Sequence, residues 1–82
     1  MRVRFRFHCA DLPDFPGDPD SEVPDGATVG EALTAYARAR QLDGVLDQLL
    51  TSMYLIGKKP AGTDTVLRDG DELVVMRILH GG

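Results

Sequence analysis

From Met1 to Cys9 the chain alternates strictly, with Val3, Phe5, Phe7 and Cys9 on one face and Arg2, Arg4, Arg6 and His8 on the other. A period of two is the pattern of a half-buried strand. Residues 10–21 follow, with Pro13, Pro16, Gly17 and Pro19 among several aspartates. That composition excludes a helix and reads as a surface loop. Glu22 to Pro24 is read as a short edge strand ahead of an Asp25-Gly26 turn. The period then changes. Thr28 and Glu31 have the spacing of a capping box, which satisfies the free N–H groups at a helix start. Val29, Ala32, Leu33, Tyr36 and Ala37 recur at helical spacing and would pack on the apolar side of the first strand. Arg38 and Arg40 put positive charge at the helix C-terminal end, where the dipole favours it. Gln41 to Gly44 interrupt the pattern, and Val45, Leu46, Leu49 and Leu50 predict a short second helix.

In the second half, Met53 to Ile56 is an apolar strand ending at Gly57. Lys58-Lys59-Pro60 reads as a turn, Thr63 to Leu67 as an irregular or short-strand stretch, and Asp69-Gly70 as a hairpin-type turn. Glu72 to Leu79 is the most β-prone run in the chain. Its two faces both carry apolar groups, which suits a central strand. The order predicts an α+β fold: a mixed sheet of four to five strands, with one main helix and a short second helix on one face. Leu73 and Val75 are assigned to the helix side. Val74, Met76 and Ile78 then point outward beside the chain end, where an apolar patch would mark a partner site. Methionine suits a surface that serves several partners. The competing assignment has the 10–21 loop covering this face.

Composition narrows the classes. Eighty-two residues make a single domain, 1–82, with a small core. Hydrophobic content of 43% and charged content of 27% are those of an ordinary soluble protein. Nine basic against thirteen acidic side chains give a formal charge of −4, which argues against nucleic acid as the main partner. No apolar run approaches the ~20 residues of a membrane span. No signal peptide is readable, since Arg2, Arg4 and Arg6 sit among the first apolar residues. The expectations are a cytoplasmic protein with no membrane and no nucleic-acid partner. The one cysteine, Cys9, allows neither a disulfide framework nor a multi-cysteine metal site, and alternation places it on the core face as a small hydrophobe. His8 and His80 lack ligand spacing. Asp18, Asp20 and Glu22 resemble the start of a calcium loop, but Val23 and Val29 occupy its glycine and glutamate positions. No metal site is expected. Arg2, Arg4 and Arg6 read as a solvated strand face that would also suit an acidic partner surface.

The chain end carries the remaining chemistry. Gly81-Gly82 directly follows the strong final strand. Glycine without a Cβ takes nearly any backbone conformation, so residues 79–82 are read as a thin flexible tail that threads into a partner's narrow channel. With "VPDGATVGEAL" (Val23 to Leu33) and "LRDGDELVVM" (Leu67 to Met76), this ending resembles the MoaD/ThiS family of ubiquitin-like sulfur carriers over nearly the whole chain. Where MoaD-like members carry a proline pair before the glycines, this chain has Arg77, Ile78, Leu79 and His80.

The resemblance implies a β-grasp fold whose first and last strands pair in parallel at the sheet centre. It also implies that the Gly82 carboxylate is the functional group, adenylated and converted to a thiocarboxylate. No cofactor would be bound permanently, and ATP would be used by the activating partner. The implied partners are a ubiquitin-activating-like adenylyltransferase, a sulfur donor of cysteine desulfurase or rhodanese type, and an acceptor such as a molybdopterin synthase large subunit. Partner contacts would fall to Val74, Met76, Ile78, Leu79 and His80. The chain would have no catalytic side chain of its own, serving as a sulfur-carrying small subunit or a protein substrate in molybdenum cofactor synthesis. Alternatives are sulfur transfer to the thiamine thiazole or another pathway and, from other classes, a TGS-like RNA-associated domain or a ubiquitin-like interaction module.

Overall fold

The structure is a computed structural model that describes residues 1–9 and 18–77, with backbone alone for 18–20. Strand β1 (Arg2–Cys9) is followed by β2 (Asp18–Glu22), helix α1 (Val29–Ala39), a 3₁₀ turn (Asp43–Val45), α2 (Leu46–Leu50), β3 (Met53–Ile56), β4 (Lys59–Ala61) and β5 (Glu72–Arg77). One mixed sheet orders them β2-β1-β5-β3-β4. β1 and β5 run parallel at its centre, with Phe5 opposite Leu73 and Phe7 opposite Val75. The other pairings are antiparallel. The α+β architecture is the expected one, with five strands.

The expected alternation holds in β1. Val3 and Phe5 are buried while Arg2, Arg4, Arg6 and His8 are exposed. Leu73 and Val75 are fully buried on the same side, together with Tyr54 of β3. Onto them pack Val29, Ala32, Leu33, Tyr36 and Ala37, the residues that helical spacing selects. Tyr36 also meets the rings of Phe5 and Phe7, with centroids 5.2 and 5.0 Å away.

Both ends of α1 are satisfied by named groups. Glu31 N–H donates to Thr28 Oγ1 at 3.2 Å and Thr28 N–H to Glu31 Oε1 at 3.1 Å, the reciprocal capping box. The two preceding N–H groups, Val29 and Gly30, donate to the carbonyls of Thr65 and Thr63 at 2.9 and 2.8 Å. The stretch from Thr63 to Leu67 therefore serves the helix start, with a single bridge between Thr28 and Val66. At the other end, Leu42 N–H donates to Ala37 and Gln41 N–H to Arg38. These are the two bonds of a Schellman motif, with Gln41 in the left-handed conformation at φ 58°.

Three local expectations are corrected. The segment read as a loop to Ser21, with a strand at Glu22 to Pro24, instead forms β2 at Asp18–Glu22. Pro19 is tolerated there because β2 is an edge strand and its pairing with β1 shifts register between Val3 and Phe5. Residues 10–17 lie outside the described residues. Lys58-Lys59-Pro60 is not a turn: Gly57-Lys58 makes the two-residue turn and Lys59 to Ala61 is β4. Positive φ at Gly57 alone fits a type II′ turn, whose twist matches the paired strands. The Asp69-Gly70 turn joins no hairpin. Asp69 Oδ1 accepts Arg2 N–H at 2.7 Å and Gly70 N–H donates to Arg2 C=O at 2.7 Å, docking the turn on the start of β1.

A side chain in the left-handed region costs about 1–2 kcal/mol that glycine avoids. Gln41→Gly is therefore expected to stabilise the fold by about 1 kcal/mol. Thr28→Ala should lose about 1 kcal/mol through the cap. A rise in denaturation midpoint for the first variant and a fall for the second are the expected readings. An unchanged midpoint for Gln41→Gly would remove the strain argument.

Candidate docking face and tail root

Because the helices cover one side of the sheet, side chains of opposite parity on the central strands form an outer face. On β5 these are Glu72, Val74 and Met76, flanked in register by Arg4, Arg6 and His8 of β1. On the other flank Met53 lies opposite Met76 and Leu55 opposite Val74. Val74, Met76 and Leu55 are half-buried, and Met53 is 64% exposed. The expected outward pair, Val74 and Met76, is thus in place, enlarged by two β3 residues that the sequence reading did not assign to it. Their signal was available: in Met53 to Ile56, Tyr54 and Ile56 pack inward, so Met53 and Leu55 must point outward. Ile78, Leu79, His80, Gly81 and Gly82 lie outside the described residues, as does most of the loop proposed to cover this face.

The electrostatics of the face are set by one carboxylate between two guanidiniums. Glu72 lies 3.5 Å from Arg4 and 3.7 Å from Arg6. All three groups are substantially exposed, so these pairs contribute little to stability. In register, Arg4 lies opposite Glu72 and Arg6 opposite Val74, so the cationic row runs beside the apolar strip. Cys9, at the end of β1, is half-buried, packs against the core and directs Sγ toward Val75 C=O at 3.9 Å. Among the described residues no group of three or more His, Cys, Asp or Glu could hold a metal ion, and no helix is long and apolar enough to cross a membrane. An open groove of about 610 Å³ runs along the outward side of α1, past Glu31, Thr34 and Arg38. It lies on the helix side of the molecule and does not join the sheet face.

The described part of β5 ends in a side-chain anchor on the inner side. Arg77 donates from Nη1 to Gln48 C=O at 2.6 Å, with Thr51 Oγ1 at 3.4 Å and Ser52 Oγ at 3.5 Å. Tyr54, beside it, donates its hydroxyl to Leu49 C=O. The end of α2, the start of β3 and the end of β5 are thereby joined by polar contacts above the core.

No family model matches the chain, and no curated protein matches it in sequence. Solved structures do match in fold. SAMP1 from Haloferax volcanii superposes with a TM-score of 0.75 at 23% identity, covering 100% of both chains. The ubiquitin of Caldiarchaeum subterraneum superposes at 0.55 with 20% identity, again over 100% of each. At such identities the likeness is one of fold. This chain has the ubiquitin-like β-grasp.

Burial raises the Tyr54 hydroxyl above its ordinary value of 10.0, against smaller lowering contributions from the Ser52 backbone and the Arg77 charge. A folded-state value above the unfolded one contributes stability that is complete below pH 10 and is lost as pH rises through the folded value. Unfolding titrations are therefore expected to show an alkaline loss of stability above about pH 10 that Tyr54→Phe makes shallower. Identical alkaline limbs for the two proteins would contradict the assignment.

Proposed function

We propose that this chain is a protein sulfur carrier whose reactive group is the Gly82 carboxylate. One observation carries the reading: a ubiquitin-like β-grasp in which β5 lies at the sheet centre and leads into a segment that ends Gly81-Gly82. The resemblance of the "VPDGATVGEAL" and "LRDGDELVVM" segments to MoaD/ThiS carriers supports it, as does the match in fold to SAMP1.

The chemistry follows from the group. A terminal carboxyl has a pKa near 3.5 and is an anion at neutral pH. As an anion it repels nucleophiles and would have to expel an oxide. Attack of the carboxylate on the α-phosphorus of ATP expels pyrophosphate and forms an acyl adenylate. A persulfide sulfur then attacks the acyl carbon and expels AMP, and cleavage of the resulting acyl disulfide by a thiol leaves the thiocarboxylate. The adenylyltransferase, the desulfurase or rhodanese and the acceptor supply every acid and base. This chain would supply the carboxyl group, a slender approach through Gly81 and Gly82, and a docking face built on Val74 and Met76, with Ile78, Leu79 and His80 as further candidate contacts. We place the acceptor as a molybdopterin synthase large subunit, with thiazole synthesis as the second pathway.

Docking by the sheet face is favoured over strand addition at an edge. Pro19 sits in β2 and Lys59-Pro60 in β4, and proline and lysine on edge strands disfavour pairing with another chain.

Incubation with ATP, an activating enzyme of the same organism and a sulfur source is expected to replace one oxygen by sulfur at Gly82, read by intact mass. Deleting Gly82 should abolish the transfer and leave the unfolding transition in place. No mass change with any cognate activator, together with RNA binding, would overturn the reading in favour of the TGS-like class. Val74→Asp and Ile78→Asp are expected to lower adenylation and transfer while the fold persists. Unchanged rates in both would remove the outer face from the mechanism.

A further inference from the structure

The geometry points to Arg77 as a positioning residue, one that holds the root of the tail against the helix layer so that an activating partner meets the chain end in a fixed place. The inference rests on the sulfur-carrier reading and goes beyond it, because no contact of Arg77 with a partner or with the reacting atoms is involved. Arg77 is the last described residue of β5, and its backbone pairs with Cys9 at the end of β1. Its parity is that of Leu73 and Val75, so its side chain points away from the docking face. There the guanidinium reaches the closing turn of α2, within 2.6 Å of Gln48 C=O and 3.4–3.5 Å of the Thr51 and Ser52 hydroxyls. Those hydroxyls in turn donate to helix carbonyls: Thr51 Oγ1 to Asp47 and Gln48, and Ser52 Oγ to Gln48.

Three features make this an anchor and not an incidental surface contact. Arg77 is partly buried, so its bond to a carbonyl is less exposed to competition from water than one at the surface. The bond is charge-assisted, which strengthens it relative to a neutral one. It also spans from strand to helix, 29 residues apart in sequence, at the point where β5 loses its last described pairing partner. From Arg77 to Gly82 a fully extended chain reaches about 17 Å. The segment after Arg77 starts from this root, so fixing the root fixes where that segment begins and in which direction. Fixing it in advance removes an ordering cost from the encounter with the partner. The outer face stays open for docking because the anchor lies on the inner side.

The test compares the wild-type chain with Arg77→Met, which keeps the aliphatic stem, and with Arg77→Lys, which keeps one donor. Thr28→Ala serves as a control that loses stability far from the root. Adenylation by an activating enzyme of the same organism is followed by ATP-dependent pyrophosphate exchange. Arg77→Met should raise KM for this chain by about two- to tenfold, the span of ordering one side chain, with kcat little changed. Arg77→Lys should recover part of the loss, and Thr28→Ala should leave KM unmoved. Hydrogen exchange from Val75 to Arg77 should quicken in Arg77→Met and slow again in Arg77→Lys. An unaltered KM in Arg77→Met, an equal rise in Thr28→Ala, or unaltered exchange at the end of β5 overturns the anchor. Absence of exchange activity with the wild-type chain overturns the carrier reading itself, and the role of Arg77 in activation falls with it.

Discussion

The fold depends on the parallel pairing of its first and last strands. Nothing local brings β1 and β5 together, since Phe5 and Leu73 are separated by almost the whole chain. What fixes their register is a clamp at one end. The Asp69 carboxylate and Gly70 N–H hold both backbone groups of Arg2, and Arg4 N–H donates to Asp71 C=O at 2.9 Å. Gly70, at φ 87°, supplies the left-handed geometry that lets the turn present these groups. With that end set, Val3, Phe5, Leu73 and Val75 share one face. A slip of one residue would turn the buried set outward. The clamp is thus worth more than its individual bonds, because the core under α1 exists only in this register.

The same pairing determines how the molecule can be recognised. β5 is flanked by β1 on one side and β3 on the other, so both rows of its backbone groups are used. The exposed edges are β2 and β4, and each carries a proline. On the proposed reading, a partner would therefore meet side chains on the outer face and not free backbone. That face combines a thioether-rich apolar strip with an arginine stripe in which one carboxylate serves two cations. The chain is acidic overall, yet this face carries the arginines of β1, a local charge that on the proposed reading would favour a partner surface of opposite sign.

Much of this was legible in the residues, and the limits have physical causes. The alternation of Arg2 to Cys9 and the capping box of Thr28 and Glu31 specify their own conformations, and both appear as read. Strands β2 and β4 do not. Asp18 to Glu22 and Lys59 to Ala61 have poor strand composition and become strands because a neighbour offers a row of partners. An Asp-Gly pair likewise has the same local preference whether it reverses a hairpin or docks on a distant strand, and only Arg2 decides between them. On the docking face, Val74 and Met76 were readable from the parity of one strand. Met53 and Leu55 needed the register of β3 against β5. Arg77 was visible merely as a residue before the tail, because its acceptors at the end of α2 are brought to it by the fold.

On the carrier reading proposed above, leading to the chain end from the central strand would resolve a conflict of requirements. A group presented to several partners in turn must be accessible, yet the element that carries it must not move. At a sheet edge, the terminal strand could fray each time the tail was engaged. At the centre, fraying would cost the pairings to both β1 and β3, so the pull of a partner is resisted by the two neighbours at once. The two faces of β5 then divide the work. Leu73 and Val75 bind the strand to the core, Arg77 ties its end to α2, and Val74 and Met76 stay half-buried on the outer face. Apolar residues on both faces of one strand, which as sequence signify only centrality, thus meet two different surroundings, the core under α1 and the open outer face.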